Sequence, residues 1–187
     1  MIKLADIVKE IGDAQPAINA QPASNYSISQ EFVNFIRSLE NADKLGYDKN
    51  KSLWIPNPSA EGGMPTIAYG HKIKNKAELE NYQKGISDRD ALKLLVADLN
   101  IANKRVHEYI KKKYNVSLTL NQRQEEMLTE FAFNLGGLDK FPKFVDAVLR
   151  NNVEGMRKEY KRNYTSSTGE RKSLDRRNQL FFDRFLK

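Results

Sequence analysis

The sequence predicts a mostly helical α+β protein in which a small irregular hairpin precedes a long helix and a helical second half. Three observations predict it. Apolar residues recur at helical spacing over most of the chain. One stretch between Asn41 and His71 breaks that period with prolines at 56, 58 and 65 and a Gly-Gly at 62 and 63. A single amphipathic run then extends from Ser87 to the lysines at 111–113, long enough to bridge two lobes.

Taken in order, Met1 to Ile11 places Ile2, Leu4, Ile7, Val8 and Ile11 at nearly helical spacing, and QPAINAQPASN supplies the prolines and small polar residues of a linker. Residues 1–26 therefore read as a short helix and tether, and residues 27–187 as one domain. Ser27 with Gln30 makes a capping-box pattern, after which Phe32, Phe35, Ile36 and Leu39 share one face of a helix running to about Glu40. The segment LWIPNPSAEGGMPTIAYGH reads as the hairpin and is the only part of the chain that looks like sheet. Ser87 caps the long helix, in which Ala91, Leu94, Leu95, Ile101, Ala102, Val106, Tyr109 and Ile110 recur at helical spacing. Thr119 or Asn121 caps the next helix, which carries Met127, Leu128, Phe131, Ala132 and Leu135 and stops at Gly136-Gly137. Three shorter helices are expected at about 142–150, 153–162 and 173–185, with TSSTG at 165–169 as a loop before the last.

At 187 residues the chain can form one substantial core, or two small lobes sharing one. The absence of cysteine excludes disulfides, thiolate nucleophiles and zinc-finger chemistry. His71 and His107 are the two histidines, and they lack the spacing and number of a metal site. No apolar run approaches the roughly 20 residues of a membrane helix. The start, MIKLADIVKEIGDAQ, has no continuous apolar core, so synthesis in a cytoplasm without a signal peptide is expected. A net charge of +7 and a pI near 9.4 favour a polyanionic partner: nucleic acid, an anionic membrane surface or a cell-wall polymer. Composition does not choose among them, and the charge reads as spread along the chain, without a dense basic arm.

The chemistry falls to carboxylates. Glu40 follows an apolar helix face directly, so its carboxyl is held near buried surface, where desolvation favours the neutral acid of a proton donor. A second acid, Glu61, lies in the Gly-rich hairpin, and Thr66 follows with a hydroxyl able to hold a water. Two acids facing each other, one neutral and one ionised, are what glycoside hydrolysis requires.

The order of a helix ending in SLE, a hairpin carrying TIAYGHKI, a helix reading LTLNQRQEEMLTEFAFNLGG and a final LDRRNQLFF resembles the phage-type lysozymes of glycoside hydrolase family 24, the endolysin muramidases. The resemblance runs from about Ser27 to Lys187. It implies a lysozyme-like two-lobed fold, a small sheet-bearing lobe and a helical lobe joined by a long helix. The implied activity is hydrolysis of the β-1,4 bond between N-acetylmuramic acid and N-acetylglucosamine in peptidoglycan, without a cofactor.

By that resemblance Glu40 is the general acid and Thr66 positions the nucleophilic water. The interval between them is 11 residues longer than the family's, so the second acid keeps only one of its two spacings. Glu61 keeps its relation to the hairpin and is preferred; Asp48, which keeps its relation to the helix, stays the alternative. His71 and Asp98 match a structural pair. Phe133 and Asn134 match residues that line the family's cleft, Asn134 either bonding an acetamido group or holding the water. Arg176 matches the arginine that pairs with the catalytic glutamate, with Arg177 the alternative register. Tyr69, with Trp54 and Tyr164, is a candidate to offer an apolar face to sugar rings.

The resemblance further implies a monomeric endolysin for bacterial cell lysis, made in the host cytoplasm and released through a holin-type pore to the wall of a Gram-negative host. No specific nucleic acid is expected as a partner. The competing readings are a lytic transglycosylase with a single catalytic glutamate and a non-enzymatic basic module binding wall or nucleic acid.

Overall fold

The structure, a computed structural model, describes residues 27–41, 43–59, 63–114, 119–165 and 171–187. The expected helix and tether at 1–26 lie outside the described residues. The described chain divides into two compact units, residues 27–100 and residues 101–187.

The first unit opens with α1 (Gln30–Leu39), whose N-terminus is capped by Ser29: its Oγ accepts from the Phe32 N–H at 3.0 Å. The cap thus sits two residues beyond the expected Ser27. Phe32, Val33 and Ile36, spaced three and four apart, form the buried stripe that drives the helix onto the core. The single hairpin expected next is in fact two. β1 (Tyr47–Asp48) pairs antiparallel with β2 (Leu53–Trp54), and β3 (Thr66–Ile67) with β4 (His71–Lys72). An isolated bridge between Asn57 and Thr66 and another between Trp54 and Ile86 tie these short ladders together. The turn between β3 and β4 needs two residues with positive φ, Ala68 and Gly70. A short helix, α2 (Lys76–Tyr82), capped by Asn75, follows and was not anticipated. It has no buried residue and so leaves no apolar stripe in the sequence.

The long helix α3 (Asp88–Tyr114) spans 27 residues, starting where Ser87 takes the Asp90 N–H at 3.1 Å. Ala91, Leu92, Leu95, Val96 and Leu99 are its buried positions in the first unit, and Ala102, Val106 and Ile110 those in the second.

In the second unit, α4 (Gln122–Leu135) is entered through a capping box of Asn121 and Gln124 and left through Gly136 in the left-handed region at φ +76. α5 (Pro142–Leu149) and α6 (Val153–Tyr160) follow close to their expected limits. Contrary to expectation, this unit also contains sheet: β5 (Asn163–Thr165) pairs with β6 (Arg171–Ser173), so α7 (Asp175–Phe185) starts two residues later than the sequence suggested. Its core is aromatic. Phe131 stacks on Phe144 at 4.1 Å, and Tyr160 on Phe181 at 3.5 Å, all four at most 1% exposed. Each such ring contributes roughly 1.5–3 kcal/mol by leaving water. The outcome is a mostly helical α+β chain with small antiparallel hairpins and a long helix, consistent with the lysozyme-like fold.

Candidate active site

The backbone leaves α1 at Glu40 (φ −96°, ψ 133°), whose N–H still donates to the Ile36 carbonyl at 2.9 Å. The Glu40 carboxyl is therefore projected from the end of a helix anchored in the core, and it is half-buried. Asn41 then fixes the exit. Its Nδ2 donates to the carbonyls of Leu45 (2.8 Å) and Ala68 (2.7 Å), and its Oδ1 accepts from the Leu45 N–H (2.7 Å). Because Ala68 belongs to the β3–β4 turn, this amide locks the Glu40 end of α1 to the hairpin. Gly70 in the same turn has φ +86°, and a Cβ placed on it would lie 3.8 Å from Glu40 Oε2. A larger side chain here would be strained and would crowd the carboxyl.

Thr66 opens β3 and is half-buried. Its N–H and carbonyl are both paired with Asn57 at 2.9 Å, so the ladder is satisfied without its hydroxyl. Glu61 lies outside the described residues. Asp48, the alternative second acid, is committed to a turn: Oδ1 accepts from the Asn50 and Lys51 N–H groups at 2.9 and 3.1 Å, and Oδ2 is 3.8 Å from Lys51 Nζ.

Behind these groups lies a network that sequence reasoning missed. Asp88, the first residue of α3, accepts from Trp54 Nε1 (3.1 Å) and from the Tyr69 hydroxyl (3.0 Å), while Arg37 donates to Tyr69 Oη at 2.8 Å and stands 3.7 Å from Asp88. Burial pushes the Tyr69 phenol up to about 12, with Arg37 opposing and Asp88 reinforcing the shift. Trp54 and Tyr69 are 1% and 6% exposed, and their rings pack 5.1 Å apart. The two rings are tilted at 57° to one another, and the Arg37 guanidinium lies 5.0 Å from the Tyr69 ring centroid. The missed signal was weak: an aspartate opening a helix reads equally well as a partner for the helix dipole.

At the start of β4, His71 Nδ1 lies 2.8 Å from Asp98 Oδ2 and Nε2 lies 3.2 Å from Glu78 Oε1. The hydrogen bond to Asp98, opposed by burial and helped by Glu78, raises the imidazole above its ordinary value. Hydrogen bonding by the Lys74 N–H, ahead of the histidine itself, holds the Glu78 carboxyl down. Glu78 joins the expected His71 and Asp98 as a third member.

In the second unit, Phe133 is half-buried and Asn134 exposed at the end of α4, and Arg162 Nη1 donates to Asn134 Oδ1 at 3.0 Å. Arg176 is exposed on α7. Arg177, the alternative register, is engaged elsewhere: its Nε and Nη2 donate to Glu130 Oε1 at 3.1 and 2.7 Å. Glu130 is fully buried and also receives the Tyr160 hydroxyl at 3.0 Å, while Arg162 Nη2 stands 3.9 Å from Oε2. No local pattern announces Glu130, since its partners lie on α6, the β5 approach and α7. The side chain of Tyr164 lies outside the described residues. Among the described residues no group of three His, Asp or Glu side chains is placed to hold a metal ion, and no helix is long and apolar enough to cross a membrane.

The positive charge is not spread along the chain. Residues 101–187 contain 19 Lys+Arg against 11 Asp+Glu, whereas residues 1–100 contain 12 against 13. Three of those 11 acids, Glu125, Glu126 and Glu130, are buried on α4 and paired with His107, Arg184 and Arg177.

Residues 55–179 match the family model described as phage lysozyme, a span that includes Glu61, Thr66, His71, Asp98, Phe133, Asn134 and Arg176 but not Glu40, which lies 15 residues before its start. No curated protein matches the chain. With the hairpins, the long helix and the helical second unit in the order that fold requires, the chain belongs to the phage lysozyme family of peptidoglycan-cleaving glycoside hydrolases.

Proposed function

We propose that in the peptidoglycan muramidase reaction of this phage lysozyme Glu40 protonates the leaving glycosidic oxygen while Glu61 and Thr66 direct a water to the opposite face of the sugar. The observation that carries the reading is the Asn41 bridge, which ties the residue after Glu40 to the turn that follows Thr66 and Ile67. A general acid has to be held by rigid elements, and Glu40 is flanked by a core-anchored helix on one side and this amide on the other. Glu61 is preferred over Asp48 because the Asp48 carboxylate is already engaged by two backbone N–H groups and Lys51. With a water between acid and base the reaction inverts the anomeric centre, provided the carboxyls stand roughly 6.5–9.5 Å apart.

His71 and Asp98 are assigned a structural role, Phe133 and Asn134 contact with the glycan, and Arg176 the pairing with Glu40. The net positive charge of residues 101–187 supports encounter with an anionic wall, speeding association at low salt. We assign the enzyme to a free monomer released by a holin-type pore onto the thin wall of a Gram-negative host, with no specific nucleic-acid partner.

The test is mass spectrometry of soluble products from isolated peptidoglycan, with proton NMR of the first-formed anomer. Reducing N-acetylmuramic acid ends in the α configuration are expected. Ends of the 1,6-anhydro type would replace the water mechanism with intramolecular transglycosylation, and β-configured reducing ends would replace inversion with a covalent intermediate.

A further inference from the structure

Arginine carries only hydrogen-bond donors, so whatever Arg162 bonds must present an acceptor. The Asn134 amide therefore turns its oxygen toward Arg162 Nη1, 3.0 Å away, and its NH2 group the other way. Asn134 is exposed, and the Arg162 bond is the one its side chain makes among the described residues. An amide free to flip could meet a ligand with either end; this one cannot flip without setting its NH2 against a guanidinium.

Arg162 is itself fixed from four directions. It is 7% exposed, and its guanidinium lies 4.0 Å from the Phe131 ring centroid and 5.0 Å from that of Tyr160. Its Nη2 faces the buried Glu130 at 3.9 Å. Its backbone N–H donates to Asn178 Oδ1 at 2.9 Å, and its carbonyl accepts from Asn178 Nδ2 at 3.3 Å. A cation with so little freedom passes its orientation to the exposed amide it bonds.

We propose that Arg162 is a positioning residue that makes Asn134 a hydrogen-bond donor to the glycan, selecting the carbonyl oxygen of an acetamido group. This rests on the muramidase reading and on the assignment of Asn134 to glycan contact, and it favours the acetamido role of that amide. Arg162 occupies one lone pair of the Asn134 oxygen, and the NH2 pair is what the amide turns outward to a ligand. Each sugar of the wall glycan carries an acetamido carbonyl, an acceptor that a directed NH2 pair suits and that a de-N-acetylated sugar lacks.

The experiment compares wild type, Asn134→Asp and Arg162→Lys on native peptidoglycan and on the same peptidoglycan chemically de-N-acetylated. Asn134→Asp keeps the size of the side chain and its bond to Arg162 but removes both donors, and at an exposed position it leaves the fold intact. Expected for it are a KM on native wall about 3- to 10-fold higher, a kcat little changed, and loss or reversal of the wild-type preference for acetylated substrate. Arg162→Lys should raise KM in the same direction and weaken the preference, because a single ammonium cannot hold both Glu130 and Asn134; it should also lower the melting temperature, so its kinetics are read well below that temperature. An Asn134→Asp enzyme with wild-type KM and wild-type preference would overturn the proposal. So would a loss confined to kcat, which would return Asn134 to the attacking water. Failure of wild type to release reducing muropeptides would instead count against the muramidase reading.

Discussion

His71 Nδ1 lies 2.8 Å from Asp98 Oδ2, joining the start of β4 to the first half of α3 while the other ring nitrogen faces Glu78. Such a pair makes stability depend on pH in a direction fixed by the shift. The folded imidazole is raised above its ordinary 6.5, so its contribution is complete below that value and fades as pH rises through the folded one. Glu78 is held below its ordinary 4.5, so its contribution is complete above that value and fades as pH falls through the folded one. Full engagement thus falls between about pH 4.5 and 6.5. Asp98→Asn should cost about 2 kcal/mol in urea unfolding at pH 5.5 and clearly less at pH 9. A cost that stays flat or grows with pH would show that the histidine is neutral when paired.

Replacement of Glu40 by Gln keeps size and hydrogen-bonding capacity but removes the transferable proton. Wall lysis should fall by about 10²–10⁴-fold, the usual worth of a general acid, with an unchanged melting temperature. Glu61→Gln should fall by a comparable factor if it activates the water. Near-wild-type turnover of the latter, with Glu40→Gln dead, would leave one essential carboxylate and point to 1,6-anhydro products.

What was legible in the sequence was local. Ser87 and Asn121 mark helix starts through bonds made within four residues, Gly136 marks a helix end through its left-handed backbone, and the stripes on α1 and α4 are read by counting threes and fours. Glu40 stands out as a candidate because it ends such a stripe. The β5–β6 hairpin escaped because NYT and RKS carry no alternation of apolar and polar residues, so the ladder rests on backbone pairing that composition does not record. The burial of Tyr69 is not legible locally because it depends on Arg37, Trp54 and Asp88, which lie 32, 15 and 19 residues away. Glu130 leaves no local signal for the same reason, its Arg177 partner standing 47 residues downstream.

That Glu130–Arg177 contact is expected to behave as a buried ion pair. Arg177→Met strips a fully buried carboxylate of two hydrogen bonds and should cost about 3–5 kcal/mol in urea unfolding. Adding Glu130→Gln to that variant should recover part of the loss, since the unpaired acid is then gone. A double variant as costly as the two single losses added together would mean that the two side chains are independent.

Trp54 is the one tryptophan and is 1% exposed, which makes its emission a reporter on the first unit alone. Its indole N–H is bonded to Asp88, which also holds Tyr69 and faces Arg37, so removing the acceptor disturbs three partners and removing the indole only one. Asp88→Ala should therefore destabilise more than the loss of a single bond, by about 2–3 kcal/mol. It should also shift the folded-state emission as the indole loses its carboxylate. Asp88→Asn, which keeps an acceptor oxygen but no charge, should fall between wild type and Asp88→Ala. If Asp88→Asn proved as damaging as Asp88→Ala, the charge facing Arg37, rather than the bonds to Trp54 and Tyr69, would be what holds α3 against the hairpins.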